Sequence, residues 1–180
     1  AIKPMHRLRG HSSYITHIDW SRDSSLLRST CGAYELLYWN VEAGKQFTQP
    51  SADIKFATDN CPLGFGMMGI WPPYSDGTDI NGVDVTSTDN GDKVICSGDD
   101  NAKVTIMNYP CVVKSAPRKE YQAHGSHVTN VRNYSTFSTR NSDGELHLSS
   151  TGGRDSALIT WNITATPVAP PVRKYIHKLT

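Results

Sequence analysis

Three glycines in the segment CPLGFGMMGIWPP (61–73) have the spacing of a nucleotide-binding turn, Gly64-x-Gly66-x-x-Gly69. Such a turn needs a helix directly after it, because the N–H groups and the dipole at the start of the helix bind the phosphates. A Pro-Pro pair follows the last glycine and prevents a helix from starting there. We therefore predict that the glycines lie along an outer strand or its entry turn, where small residues allow a bulge or a close backbone approach.

Other residues that could do chemistry lack the patterns that enzymes use. The sequence contains no GxSxG, HExxH or P-loop motif, and SDGTDING (75–82) lacks the distal glutamate of a calcium loop. The cysteines form no CxxC pair and have no histidine at the spacing of a zinc site, so buried free thiols are expected. We predict no enzymatic activity, no cofactor and no metal. The four cysteines are Cys31, Cys61, Cys96 and Cys111.

The composition is that of one soluble globular domain. Of the 180 residues, 37% are hydrophobic and 19% are charged, and the formal net charge is +1. Such a charge creates no long-range field that would favour nucleic acid. No apolar run approaches the roughly 18 residues of a membrane span, and the first ten residues carry no apolar signal core. We expect an intracellular protein with neither a nucleic acid nor a membrane as its partner.

The elements that must position these residues are strands. Short runs rich in β-branched and aromatic residues alternate with clusters of Gly, Asp, Asn and Ser, and helical periodicity is absent. The sequence therefore predicts an all-β protein. The runs are 14–20, 35–39, 93–97, 103–109, 127–134 and 157–163.

Three segments of the chain repeat one pattern. Each opens in a polar turn, continues with two apolar residues three positions apart, and ends in an aromatic or apolar run. Four short antiparallel strands with a Gly-His start and a Trp-Asp-like end are typical of a WD40 β-propeller blade. We predict three to four such blades as part of a larger propeller. The predicted limits are the end of a preceding blade (1–9), a blade (10–60), an atypical blade with a preceding strand (61–122), a blade (123–165) and a tail or closing strand (166–180).

The third repeat contains the residues of the WD40 hydrogen-bonded network. In it, the turn aspartate accepts from a histidine ring, the ring meets a Ser or Thr hydroxyl, and the hydroxyl meets the indole N–H. Such a buried network stiffens a blade when every member is satisfied. We therefore predict a structural role, and not acid–base catalysis, for His124, Thr151, Asp155 and Trp161.

The other two repeats are predicted to lack a complete network. The first keeps His11 and Trp39 but has Ala33-Tyr34 where the turn aspartate is expected. The second keeps Asp100 but has Asp76 in the histidine position, Cys96 in the hydroxyl position and Ile106 in the tryptophan position. These blades are expected to depend on apolar packing by Leu36, Val104, Ile106 and the Cys96 thiol.

Several blocks closely resemble the last part of the echinoderm microtubule-associated protein-like family. They include GHSSYITHIDWS (10–21), GIWPPYSDGTDING (69–82) and STGGRDSALITWN (150–162). The resemblance implies two joined propellers, the second of them atypical, and a non-catalytic microtubule-associated protein that binds tubulin or microtubules. It also implies other cytoskeletal or axonemal partners and a location in the cytoplasm on the cytoskeleton, or in the ciliary axoneme. The chain departs from the family at Ala33, at Pro73-Tyr74 and in a lengthened loop (135–147).

Turn residues are the candidates for contact with a partner, because a propeller holds its loops on a rigid disc. We predict that five of them protrude towards a partner. For any single one of them, a solvated loop residue without a partner is the simpler interpretation. A basic tail with Arg173, Lys174 and Lys178 is free to approach tubulin, which is acidic. Two other functions are consistent with the sequence: a general WD40 interaction scaffold that makes no contact with tubulin, and a nucleotide-binding enzyme. The five candidate residues are Tyr34, Asp99, Asn101, His127 and Arg154.

Overall fold

The computed structural model describes residues 2–51, 53–87, 91–114, 116–134 and 146–163, in which eleven strands form three antiparallel sheets. Each strand pairs with its neighbour in sequence, so every sheet is a simple meander. The prediction of an all-β protein built from WD40-type blades is confirmed. Within the described residues, no helix is both long and apolar enough to cross a membrane.

The three sheets follow one another along the chain as three blades. Blade 1 and blade 2 have four strands each, and blade 3 has three within the described residues. Blade 1 consists of β1 (Ile15–Trp20), β2 (Leu26–Cys31), β3 (Leu36–Asn40) and β4 (Lys45–Phe47); blade 2 of β5 (Ile80–Ser87), β6 (Lys93–Asp99), β7 (Lys103–Asn108) and β8 (Arg118–Gln122); and blade 3 of β9 (Val128–Tyr134), β10 (Leu146–Gly152) and β11 (Leu158–Ile163).

The predicted blade limits extend beyond these sheets on both sides. Residues 2–9 form no strand, and 166–180, with the basic tail, lie outside the described residues. The lengthened loop (135–147) lies largely outside them as well, since the description resumes at residue 146. The limits of the first and last segments therefore stay a prediction.

The first strands of the three blades lie around a shared cavity. Residues of β1, β5 and β9 line a space of about 500 Å³, into which the loop before blade 2 also reaches. Its lining includes Thr16, His17, Asn81 and Arg132. The His17 Nε2–H donates to the Asn81 carbonyl at 3.0 Å and so links the inner strands of blades 1 and 2. This arrangement is that of a propeller, whose blades surround a central channel.

The glycine motif forms a turn of 3-10 helix at Phe65–Met67. Of the two predicted placements, the outer strand is therefore wrong, and the motif lies in a turn. Gly66 accepts from the Cys111 N–H at 2.9 Å, and the Gly69 N–H donates to the Cys111 carbonyl at 2.7 Å. A Cβ atom on Gly69 would overlap the Val113 carbonyl oxygen. The glycines therefore serve the predicted close backbone approach, although in a turn packed against the segment that follows β7.

Two apolar clusters fill the spaces beside blade 2. The first joins the turn of 3-10 helix to β5, β6 and β7 through Met67, Ile70, Ile80, Val83, Ile95, Met107 and Cys111. The second lies between blades 2 and 3 and contains Cys96, Val104, Val128, Val131 and Leu148, with Ile106 and Trp161 packed against it. Of the expected core residues, Cys96 and Val104 are buried, whereas Leu36 and Ile106 are half-buried. All four cysteines are buried free thiols.

A buried ion pair attaches the linker after blade 1 to that blade. The Asp19 carboxylate accepts hydrogen bonds from the Thr58 hydroxyl at 2.5 Å and from the backbone N–H groups of Asn60 and Cys61 at 2.9 and 3.0 Å. The Arg28 guanidinium lies 2.9 Å from the same carboxylate. Burial alone would raise the pKa of Asp19, but these hydrogen bonds and the positive charge outweigh it and hold the pKa below its usual value.

Candidate functional site

Blade 3 contains a continuous hydrogen-bonded network from an indole to a carboxylate. The Trp161 Nε1–H donates to Ser150 Oγ at 2.8 Å, and Ser150 Oγ lies 2.7 Å from His124 Nε2. His124 Nδ1 lies 2.9 Å from the Asp155 carboxylate. With the ring proton on Nδ1, each donor faces an acceptor along the whole path. The hydrogen bond from His124 lowers the pKa of Asp155, so the carboxylate stays charged.

The hydroxyl of this network belongs to Ser150, and the prediction of Thr151 in that position is wrong. Neighbouring residues of a strand point to opposite faces, so only one of the two can face the imidazole. Thr151 Oγ1 instead lies 2.8 Å from Thr129 Oγ1 on the exposed side. The register identifies the correct residue, because Trp161 pairs with Leu148, and Ser150, two positions further along, shares its face.

Blade 1 has a complete network as well, contrary to expectation. The Trp39 Nε1–H donates to Ser29 Oγ at 2.7 Å, and Ser29 Oγ lies 2.6 Å from His11 Nε2. His11 Nδ1 lies 3.2 Å from the carboxylate of Glu35, which takes the place of the missing turn aspartate. Sequence reasoning missed Glu35 because it considered only Ala33 and Tyr34, whereas a longer side chain reaches the ring from one position later.

The Glu35 carboxylate accepts an unusual number of hydrogen bonds. The backbone N–H and hydroxyl of Ser12 each donate at 2.9 Å, and the Cys31 thiol lies 3.0 Å from Oε2. The Ser12 N–H, the Cys31 thiol and the Ser12 hydroxyl together lower the pKa of Glu35 to about 2. This carboxylate joins the segment before β1 to the ends of β2 and β3.

Blade 2 lacks the network, but its positions differ from those we predicted. The register places Ser97 opposite Thr105 and Ile95 opposite Met107, so Ser97 and Met107 correspond to the hydroxyl and the tryptophan. Cys96 and Ile106, predicted there, lie on the opposite face against blade 3. A polar pocket of about 180 Å³ adjoins Ser97, and Asp99, Thr105 and the Pro-Pro segment also line it.

Asp76, in the turn before β5, and Asp100, in the turn between β6 and β7, both serve local structure. Asp76 Oδ1 accepts from the Thr78 N–H at 2.8 Å and from its hydroxyl at 2.6 Å, which is the geometry of an Asx turn. Asp100 accepts from the Asn81 side-chain amide at 2.6 Å. Neither residue contacts an imidazole, because blade 2 has no histidine in this position.

Four of the five candidate contact residues are accessible. Asn101 and Arg154 are exposed, His127 is half-buried, and Tyr34 is 52% exposed with a φ of 65°. The left-handed backbone at Tyr34 is rare for a bulky residue. It directs the tyrosine ring over Gly77, where a Cβ atom would overlap the ring.

The fifth candidate, Asp99, does not protrude as we predicted. It is 7% exposed, and its carboxylate accepts from the N–H groups of Asn101 and Lys103, both at 2.9 Å. These bonds hold the turn between β6 and β7. Burial raises the pKa of Asp99 despite the two hydrogen bonds.

The accessible candidates share one end of the blades, which we call the loop face. It consists of the turns β2–β3, β6–β7 and β10–β11 together with the segments that lead into β1, β5 and β9. Backbone bonds hold these pieces together: the Gly153 N–H donates to the His127 carbonyl, and the Asp100 N–H donates to the Asp79 carbonyl, both at 2.9 Å. In blade 2 this face is acidic, with Asp76, Asp79 and Asp100.

The three meander sheets, the Trp-Ser-His-carboxylate networks and the shared cavity of the inner strands define a WD40-type β-propeller segment. The chain matches the family model described as the echinoderm microtubule-associated protein second beta-propeller over residues 1–163. It therefore belongs to the echinoderm microtubule-associated protein-like family, as its sequence motifs predicted.

Relatives of known name agree with this membership. The chain is 45% identical to echinoderm microtubule-associated protein-like 4 of Xenopus tropicalis over 86% of its length. It is 46% identical to echinoderm microtubule-associated protein-like 1 of Mus musculus over 86% of its length. It is 42% identical to echinoderm microtubule-associated protein-like 3 of Homo sapiens over 92% of its length. The chain spans only 16%, 18% and 18% of these three relatives.

Proposed function

We propose that this chain is a non-catalytic β-propeller segment of a microtubule-associated protein and that its loop face contacts tubulin in the microtubule. The observation that carries the proposal is family membership, at 45% identity to a relative named as microtubule-associated. It acts in the cytoplasm on the cytoskeleton, or in the axoneme of a cilium.

The two histidine–carboxylate pairs support a structural role and not a catalytic one. In blades 1 and 3, the second ring nitrogen of the histidine meets a serine hydroxyl that also accepts from a tryptophan. His124 and Ser150 are buried, so a substrate has no access to the base or to the hydroxyl. A general base must reach the proton that it removes, and the histidine and the hydroxyl of blade 3 are both enclosed.

A rigid loop face suits protein recognition. Tyr34 is fixed by its backbone conformation and by Gly77, and the backbone N–H of Arg154 donates to the Ser126 hydroxyl at 3.2 Å. Preformed turns lose little conformational entropy on binding. An exposed tyrosine and an exposed arginine are also residue types that often dominate the energy of an interface.

Co-sedimentation of the full-length protein with polymerised microtubules at moderate salt tests the proposal. Purified protein is expected to pellet without any other protein present. Arg154→Ala should weaken binding several-fold and reduce its salt dependence, because an exposed cation facing acidic tubulin is removed. Lys45→Ala removes one exposed cation from β4, away from the loop face, and should leave binding unchanged. Protein that stays in the supernatant contradicts the proposal.

A second function, a WD40 scaffold without direct tubulin contact, is favoured by one observation. Asp76, Asp79 and Asp100 make the loop face of blade 2 acidic, and like charges across an interface are costly. Such a face suits a basic segment of another cytoskeletal or axonemal protein. In that case, the purified protein stays in the supernatant and pellets only when that partner is added.

A further inference from the structure

The carboxylate network of blade 1 brings together three side chains that bind metals in other proteins. His11 Nδ1, Cys31 Sγ and a Glu35 carboxylate oxygen lie within 4.8 Å of one another. The nearest pairs are Cys31 Sγ to Glu35 Oε2 at 3.0 Å and His11 Nδ1 to the same oxygen at 3.2 Å. Ligands of a tetrahedral zinc ion lie about 2.0–2.3 Å from the metal, so a small outward shift of these atoms makes room for it.

Comparison with blade 3 shows what is special about this cluster. Cys31 follows the network serine by two positions, where blade 3 has Gly152. A Cβ atom on Gly152 would overlap the Asp155 carboxylate, which fills that space itself. Blade 1 instead has a thiol in this space and a longer glutamate beside it. The hydrogen-bonded network alone needs neither change, because blade 3 forms it with glycine and aspartate.

Hydrogen bonds from neighbouring groups orient two of the three side chains of the cluster. His11 Nε2 lies 2.6 Å from Ser29 Oγ, which leaves Nδ1 to face the thiol and the carboxylate. A metal-binding histidine usually makes such a hydrogen bond through its other ring nitrogen. The Ser12 N–H and hydroxyl orient the Glu35 carboxylate in the same way.

The burial of the three side chains would also suit a metal site. Two of them are enclosed, and the third is open to solvent. Cys31 is 4% exposed and the His11 side chain 5%, whereas the Glu35 side chain is 33% exposed. A cation can therefore enter beside the carboxylate, and a water molecule has access to the fourth coordination position.

We propose that His11 Nδ1, Cys31 Sγ and the Glu35 carboxylate bind one zinc ion, with water as the fourth ligand. Mixed nitrogen, sulfur and oxygen ligands in a tetrahedral arrangement favour Zn²⁺ over Mg²⁺ or Ca²⁺, which prefer oxygen alone. On binding, the thiol releases its proton to solvent, and the imidazole carries its proton on Nε2 and donates it to Ser29 Oγ. The ion then ties the segment before β1 to the ends of β2 and β3.

Titration of metal-free full-length protein with Zn²⁺ and with Co²⁺ tests this proposal. The wild-type protein should bind one more equivalent of Zn²⁺ than Cys31→Ser, and its melting temperature should rise with Zn²⁺ more than that of the variant. Co²⁺ should give a near-ultraviolet absorption band from the thiolate, which Cys31→Ser abolishes. Cys111→Ser alters a buried thiol outside the cluster. This variant should bind as much Zn²⁺ as the wild type and should keep the cobalt–thiolate band.

Two further variants keep the test decisive. Cys31→Gly copies the residue that blade 3 has at the same position, so it is expected to fold and to lose the bound ion. Glu35→Gln should weaken Zn²⁺ binding at least tenfold while the cobalt–thiolate band remains. The proposal is overturned if wild type and both Cys31 variants bind the same number of zinc ions, or if Co²⁺ gives the wild-type protein no thiolate band that depends on Cys31.

Discussion

One serine hydroxyl connects the imidazole and the indole of blade 3. Ser150 is fully buried and serves both His124 Nε2 and the Trp161 N–H. Ser150→Ala leaves both groups without a partner in a buried place, so we expect the free energy of unfolding to fall by about 2 kcal/mol. Urea denaturation followed by tryptophan fluorescence measures this change.

Thr151→Ala is the matched control for that substitution. Thr151 lies one position along the same strand, and its hydroxyl meets the Thr129 hydroxyl on the exposed side. We expect the control to cost less than about 1 kcal/mol. A loss at Thr151 equal to or larger than the loss at Ser150 would show that the network does not depend on the Ser150 hydroxyl.

For the network residues, the sequence predicted the type of residue better than its position in the chain. The sequence indicates His124, Asp155 and Trp161 correctly as neighbours in space, because their spacing relative to the turn is typical of the repeat. The predicted position of the hydroxyl is wrong by one residue. The side of a strand that faces the imidazole depends on the register, which the sequence pattern alone leaves open. Glu35 was missed because a longer side chain compensates for the shift of its backbone position.

At the scale of elements, the linker after blade 1 depends on a buried charge. Asp19 binds Arg28 of β2 as well as three groups in residues 58–61. Its pKa is below the usual value, so its stabilising effect is complete above about pH 4 and is lost as the pH falls through the folded-state pKa. We predict that Asp19→Asn lowers the free energy of unfolding by about 3 kcal/mol at neutral pH.

The pH profile separates this charge effect from a simple packing defect. The free energy of unfolding of the wild type should decrease below about pH 4, and Asp19→Asn should flatten that part of the profile. Asp53→Asn changes an exposed carboxylate of the same linker and should leave the profile as it is. Parallel profiles for wild type and Asp19→Asn would contradict a stabilising charge at this position. Urea unfolding at a series of pH values provides the measurement.

The glycine segment (61–73) was predicted correctly in its packing role but not in its local conformation. The Pro-Pro pair correctly excludes a nucleotide-binding helix, and the glycines do serve a close backbone approach to Cys111 and Val113. The local conformation is a turn of 3-10 helix and not a strand edge. Its shape is set by packing against β5, β6 and β7, which lie later in the chain, so local sequence could not specify it.

At the scale of the whole molecule, three equivalent pairs of apolar residues differ in what covers them. In blades 2 and 3 the first strand contributes Ile80 with Val83 and Val128 with Val131, and all four residues are buried. In blade 1 the matching residues Ile15 and Ile18 are 51% and 54% exposed. Blade 2 and the segment before it cover the later pairs, whereas none of the residues that the structure describes covers Ile15 and Ile18 in this way.

We expect a further blade to pack on β1 in the full-length protein, since this chain spans only 16% to 18% of its relatives and a propeller continues from blade to blade. In that protein, Ile18→Ala and Val131→Ala should each lower the free energy of unfolding by about 2 kcal/mol, because each removes a buried apolar side chain. Ile2→Ala, at a fully exposed isoleucine, should change it by less than about 0.5 kcal/mol. Urea unfolding of the three variants compares them. If Ile18→Ala is as neutral as Ile2→Ala, no blade covers β1 and the propeller is built differently at this flank.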